Sequence, residues 1–171
     1  MKELGAAEQK SDFNLLEIDV NHLTATAFDT VIMIWRRETT AGPFRRGMGI
    51  ATDLAKKTGA KVGVCQVVEP DAVPPNSETR GAFMELLQLE EVTHSSVIHD
   101  GAGFKAASVR AIVNLQILMA RPKFPHLVFS TVKEAAVWQV GMQAKLGREV
   151  SASRMEFVVR ELRSLHRERF P

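Results

Sequence analysis

Short apolar runs alternate along this chain with segments of helical periodicity, and that order limits the possible folds more than any single motif does. Two strand-like segments come first. Leu15, Leu16, Ile18 and Val20 begin one that continues irregularly toward Leu23, and Thr30-Val-Ile-Met-Ile-Trp35 is the other. A run that is apolar at nearly every position suits a central strand covered on both faces. The connection between the two is short, which favours an antiparallel hairpin. Helix and strand then alternate three times, and two helices close the chain.

The helix signals are local. Thr39 or Thr40 can cap the first helix, with Pro43 in its first turn, where a missing N–H costs nothing. Phe44, Met48, Ala51 and Leu54/Ala55 recur at helical spacing, and Gly59 ends the segment. Val62–Val68 reads as a strand, followed by a loop carrying Pro70, Pro74 and Pro75. Asn76 or Ser77 caps a second helix bearing Ala82, Phe83, Leu86, Leu87 and Val92, and Ser95–Ile98 is the next strand. Gly101 and Gly103 open a long helix that Arg121-Pro122 stops, before a strand at Leu127–Phe129. Thr131-Val-Lys-Glu134 and Ser153-Arg-Met-Glu156 both have capping-box spacing. Gly147 separates the last two helices, and the final one aligns Met155, Val158/Val159, Leu162 and Leu165. The expectation is an α/β fold with a five-stranded mixed sheet. Its parallel part is built by right-handed crossovers, and an extra helix follows at the C-terminal end. Residues 1–12 read as a flexible polar N-terminus, 13–146 as the domain, and 147–171 as an appended amphipathic helix.

Composition narrows the class. At 171 residues, with 45% hydrophobic and 25% charged residues, the chain can bury a core without staples. One cysteine, Cys65, cannot form an internal disulfide, and the first dozen residues hold no apolar leader segment. The longest apolar run, Ile112–Ala120, is broken by Asn114 and Gln116 and is too short for a membrane span. These features predict a cytoplasmic protein. The 22 basic and 20 acidic residues nearly cancel, which is no nucleic-acid footprint. Charge is uneven, however: from Lys145 onward seven Lys/Arg face four Glu.

No catalytic constellation stands on this frame. Cys65 lies mid-strand among valines, where a thiol is usually inert, and no base is placed beside it. His22, His94, His99, His126 and His166 show no metal-ligand spacing; His94 and His99, five apart, fall on opposite sides of one strand. His99-Asp-Gly-Ala-Gly-Phe-Lys-Ala106 has dinucleotide-fingerprint spacing. It follows the wrong strand, and the next strand ends in Ser130-Thr131 without the acidic ribose partner. A tight turn explains both glycines, while Gly101, Gly103 and Phe104 remain available for an anion at a helix N-terminus. Arg36-Arg37 and Arg45-Arg46 read as solvated charge. The chain is therefore expected to be non-enzymatic, with no cofactor and no metal. The last helix must bury its stripe on its own sheet or against a second copy, giving a homodimer.

The order of elements over residues 14–146 resembles the STAS domain of bacterial anti-sigma factor antagonists. In that family a serine in an Asp-Ser-Ser/Thr-Gly motif at the start of the helix after the third strand is phosphorylated by a partner kinase, which controls partner binding. Here the matching stretch runs from Glu69 through Asp71, Pro74 and Pro75 to Asn76-Ser77-Glu78-Thr79-Arg80, with a longer loop and without the family's Asp and Gly beside Ser77. Gly103–Arg110 and Ala120–Phe129 also resemble uncharacterised STAS-like bacterial proteins. The resemblance implies a signalling or scaffold module acting through protein contacts. Ser77 and Thr79 would be its phosphorylation candidates, and Asn76, Ser77, Phe83 and Met84 its contact candidates. A phosphate at that helix start would meet free N–H groups and add charge to an exposed surface. The second reading is a small anionic-ligand binder using the Gly101–Phe104 turn.

Overall fold

A computed structural model describes residues 12–171, apart from the side chains of Phe104 and Lys105; residues 1–11 of the expected flexible N-terminus lie outside the described residues. Six strands form one sheet in the order β1-β2-β3-β4-β5-β6. They are β1 (Asn14–Ile18), β2 (His22–Ala27), β3 (Thr30–Trp35), β4 (Val62–Val68), β5 (Val92–Ile98) and β6 (His126–Phe129). The helices are α1 (Ala41–Thr58), α2 (Ser77–Leu86), α3 (Gly103–Ala120), α4 (Val132–Ala144) and α5 (Ala152–Arg169). β1, β2 and β3 pair antiparallel, and β3 through β6 pair parallel.

The sheet thus has six strands where the sequence predicts five. What reads as one irregular strand from Leu15 toward Leu23 is two, separated by a turn in which Asp19 Oδ1 accepts hydrogen bonds from the N–H groups of Asn21 (2.7 Å) and His22 (2.9 Å). β2 then turns into β3 through Phe28 and Asp29, both at positive φ (49° and 53°), the geometry of a two-residue hairpin. This is the antiparallel hairpin that the short connection predicts, although Phe-Asp is not a usual sequence for such a turn.

Most helix ends follow their local signals. Gly59, at φ 67°, closes α1 in the left-handed conformation. Asn76 caps α2 by accepting from Thr79 N–H at 2.9 Å, and Thr131 caps α4 by accepting from Glu134 N–H at 3.1 Å. α5 corrects the prediction: its cap is Ser151, which accepts from Arg154 N–H at 3.2 Å, not Ser153.

Successive right-handed crossovers along a sequentially ordered parallel sheet place α1, α2 and α3 on one face. Val31, Met33 and Trp35 meet Phe44, Ala51, Phe83 and Leu86 there. An aromatic chain crosses this face: His22 stacks on Trp35 (5.6 Å between centroids) and Trp35 on Phe44 (5.8 Å). Phe44 then meets Phe83 (6.2 Å) and Phe83 meets His126 (5.4 Å) edge-on. Leu23, Ile32, Ile34, Cys65 and Val67 face the other way and are covered by Val132 and Ala135 of α4 and Val158, Val159 and Leu162 of α5. The apolar stripe of α5 is therefore spent on its own sheet.

Beneath α4 lies a polar layer. Gln139 Nε2 donates to Val64 O (2.9 Å) and Ser96 Oγ (2.7 Å), and Gln143 Nε2 donates to Phe28 O (3.1 Å) and Thr30 Oγ1 (2.8 Å). Gln143 thereby holds the unusual Phe28-Asp29 turn in place. The His94 ring packs against Trp138 in the same layer and leaves no space at Gly63, where a Cβ would stand 2.6 Å from His94 Nε2. We expect Gly63→Ala to cost about 1–3 kcal/mol by overpacking, measured as a lower urea midpoint at unchanged slope.

Burial pushes the His94 imidazole down to about 4, with the Arg148 charge adding to it, and burial alone does the same for His126. Both are neutral in the folded protein at pH 7, whereas the unfolded chain takes up protons below about pH 6.5. Stability is thus expected to fall as pH drops from about 6.5 to about 4. In urea titrations at a series of pH values, His126→Phe flattens that slope; an unchanged slope would refute the assignment for His126.

Candidate functional site

The parallel strands end at a common edge, because the register pairs Trp35 with Val68, Val67 with Ile98, and Ile98 with Phe129. The residues that follow, Arg36, Glu69, His99 and Ser130, therefore emerge side by side. Open α/β sheets bind ligands at this edge. Its two sides differ in character.

On the α5 side the edge is closed by charge. Arg163, one face of which is turned to the sheet by the same helical spacing that buries Val159 and Leu162, donates from Nε and Nη2 to the two carboxylate oxygens of Glu69 (2.8 and 2.6 Å). It also donates from Nη1 and Nη2 to Asp100 (2.6 and 3.2 Å). Arg167 Nη2 adds a bond to Glu69 at 2.9 Å. Arg163 and Glu69 are both buried. Burial by itself would raise the Glu69 pKa, but the hydrogen bonds and charge of Arg163, with Arg167, outweigh it and hold the carboxyl below its ordinary value. Asp100 follows the same balance. Burial works against the Arg163 charge too, and the two carboxylates overcome it. One helix is thus tied to the ends of both β4 and β5. Arg36 extends the closure by donating to the carbonyls of His166 (3.4 Å) and Phe170.

On the α3 side the edge stays open. The loop after β4 is pinned by Val73 N–H donating to Arg37 O (2.6 Å) and Ala72 N–H donating to Glu69 O (3.0 Å). Between this loop and α3 runs an apolar cleft of about 160 Å³ lined by Val68, Pro70, Pro74, Val109, Ile112 and Val113. It continues inward to a smaller cavity of about 80 Å³ that reaches Trp35, Gln66, Phe83 and Val97. α3 is only lightly seated. Val113, Ile117 and Ala120 are partly buried against the core, and Ala106 is its only fully buried residue among those described. Ile112 stands at the rim of the cleft and, with Leu115, Leu118 and Met119 farther out, is 57–77% exposed.

The predicted site residues are distributed as follows. Asn76 and Ser77 are exposed at the start of α2, with Asn76 serving as the cap. Thr79 is buried and donates its hydroxyl to Thr39 O at 3.1 Å. Phe83 is inside the aromatic chain, and Met84 is half-buried against the same core. Gly101 is packed near Ala106 and Pro70, and Gly103, at φ 84°, begins α3, whose cap residue Ala102 makes no side-chain bond. The Phe104 side chain lies outside the described residues. Arg110 Nη1 donates to the carbonyls of His99 (3.0 Å) and Gly101 (3.2 Å), fixing this turn. Cys65 is buried, and burial pushes its thiol up to about 11, as suits a core thiol. Among the described residues no three His, Cys, Asp or Glu side chains are placed to hold a metal ion, and no helix is long and apolar enough to cross a membrane.

Sequence reasoning missed two features. The Arg163–Glu69–Asp100 cluster joins residues 63 and 94 positions apart and has no local signal. The exposed face of α3 did have one: Leu115, Leu118 and Met119 recur at helical spacing away from Val109, Val113 and Ile117, so apolar residues cover more of the helix than a single stripe. No family model, curated protein or solved structure matches this chain.

Removing Arg163 leaves two carboxylates short of their partner. Arg163→Ala is expected to cost about 3–5 kcal/mol at pH 7. Because Glu69 and Asp100 have depressed pKa values in the folded state, their contribution is present above the ordinary carboxylate range and is lost as pH falls through the folded values. Urea titrations should therefore show the gap between wild type and Arg163→Ala narrowing below about pH 4.

Proposed function

We propose that this protein is a non-enzymatic, STAS-like module that acts through protein–protein contact, with the outer face of α3 as its docking surface. The observation that carries this reading is the contiguous set Ile112, Leu115, Leu118 and Met119, four large apolar side chains held in water on one helix face. Monomeric proteins rarely expose apolar patches beyond a few hundred Å², and larger ones mark interaction sites. The patch contains no charge of its own, while exposed Arg121 stands at the end of the helix. A protein presenting an apolar ridge with an acidic rim fits it. No nucleophile and base are placed together among the described residues at the open edge, which favours binding over catalysis.

Ser77 supplies a means of regulation. It is exposed at the first position of α2, and α2 lines the smaller cavity through Thr79 and Arg80. A phosphate there would gain from the helix dipole and add about two negative charges to the exposed start of α2. Bacterial signalling is the setting that the order of elements suggests. A second reading, an anion held by the amides following Gly101, has less support because the Asp100 carboxylate stands at the same turn.

Benzoylphenylalanine placed at Leu115, with a control at exposed Val137 on α4, tests the assignment in cells. A discrete protein adduct at position 115 that disappears in Leu118→Glu is expected. Its yield should change with Ser77→Glu but not Ser77→Ala. Labelling at 115 no stronger than at 137 would overturn the docking surface, and equal yields from the two Ser77 variants would remove the switch.

A further inference from the structure

The inner cavity is lined by two buried donors that have no hydrogen-bond partner. Trp35 Nε1–H and Gln66 Nε2–H are both buried and both lack a hydrogen-bond partner. The two residues line the same cavity, under α3 and against Phe83 and Val97. A buried donor without a partner costs about 1–3 kcal/mol, so two at one cavity are a considerable penalty for a stable fold to carry without use. The other lining residues are mainly apolar, with Thr39, Thr79, Arg80 and Gln116 among them, and the cavity shares Val68, Val109 and Val113 with the cleft between α3 and the proline-containing loop.

We infer that this cavity and cleft form a binding site for a small, uncharged, mainly apolar molecule with one carbonyl oxygen, which accepts from Trp35 and Gln66 while its chain runs outward beneath α3. The charge state follows from the residues. Both donors are neutral, and Arg80, the one charged residue among those described that line the inner cavity, is exposed and donates to Pro75 O at 2.9 Å. A carboxylate at the floor would be an unpaired buried charge, whereas a ketone, ester or amide oxygen satisfies the donors without that cost. Size follows as well. The inner cavity holds a small head group, and the cleft adds room for a short chain, comparable in scale to cavities that accept benzene. The light seating of α3 provides a way in. This site lies on the inner side of α3 and shares only Ile112, at the rim of the cleft, with the outer face.

The test uses the full chain, labelled with nitrogen-15, and 2-octanone as the probe. Trp35 and Trp138 are the only two tryptophans, so two indole N–H resonances report the outcome, assigned with Trp138→Phe. Titration is expected to move the Trp35 indole resonance saturably and leave that of Trp138 in place. Octanoate, charged, and toluene, which has no acceptor, should both bind at least about fivefold more weakly, as loss of one net hydrogen bond implies. Gln66→Leu should weaken 2-octanone by a similar factor, and Val113→Phe, which fills the cleft, should abolish the response. Val109→Phe serves the same purpose if Val113→Phe does not give a folded spectrum. A Trp35 resonance that does not respond, or that responds equally in the filled variant, would overturn the site. Equal affinity for toluene would overturn the role of the two donors, and equal affinity for octanoate would overturn the assignment of an uncharged ligand.

Discussion

Everything in this molecule depends on a sheet that is apolar on both faces. β3 is buried along its whole length, and β4 for all but its last residue, so neither surface can be left to water. Sequential strand order and right-handed crossovers put α1, α2 and α3 on a single face, which leaves the second face bare. α4 and α5 exist to cover it. The last helix, which looks like an appendage in the sequence, is therefore structural: Val158, Val159 and Leu162 cover β2 and β3 on the face that α4 leaves open. Its basic character is partly explained in the same way, because Arg163 and Arg167 are the cations that neutralise Glu69 and Asp100 at the strand ends.

The open edge of the sheet consequently has a rigid side and a loose side. On the rigid side, a buried arginine with two carboxylates fixes α5 against β4 and β5, and the geometry is expensive to disturb because any partner left alone would be a charge without solvent. On the loose side, α3 contributes few buried atoms, and its apolar residues are divided between an inner row over a cleft and an outer row in water. A helix held by so little is suited to admit a ligand beneath it or a partner above it, since local opening there forfeits little buried area. The tight clamp protects the scaffold while the neighbouring helix remains available.

Much of this frame is legible in local patterns. Helix ends at Asn76, Thr131 and Gly59 follow from side-chain capping and from the left-handed backbone that glycine favours, which are properties of a few adjacent residues. The crossovers follow from alternating periodicity. What escaped is the separation of β1 from β2 at Asp19 and the support that Gln143, on a distant helix, gives to the turn of the predicted hairpin at Phe28-Asp29. Of the candidate residues, Ser77 is exposed where a helix start places it. Thr79 and Phe83, its near neighbours in sequence, turn inward, because helical rotation over two to six residues carries a side chain from one face to the other.

The sequence by itself determined the class of fold, the order of elements after β1, and the capped starts of α2 and α4. Those depend on short-range periodicity and on residue type. Only the tertiary structure decided which apolar residues would be buried and which left in water, because both rows of α3 look alike until the sheet chooses one. It also decided that Arg163, Glu69 and Asp100 would share one clamp, and that Trp35 and Gln66 would bring two donors to the same cavity. Those juxtapositions depend on packing between strands and helices far apart in the chain, and no local pattern carries them.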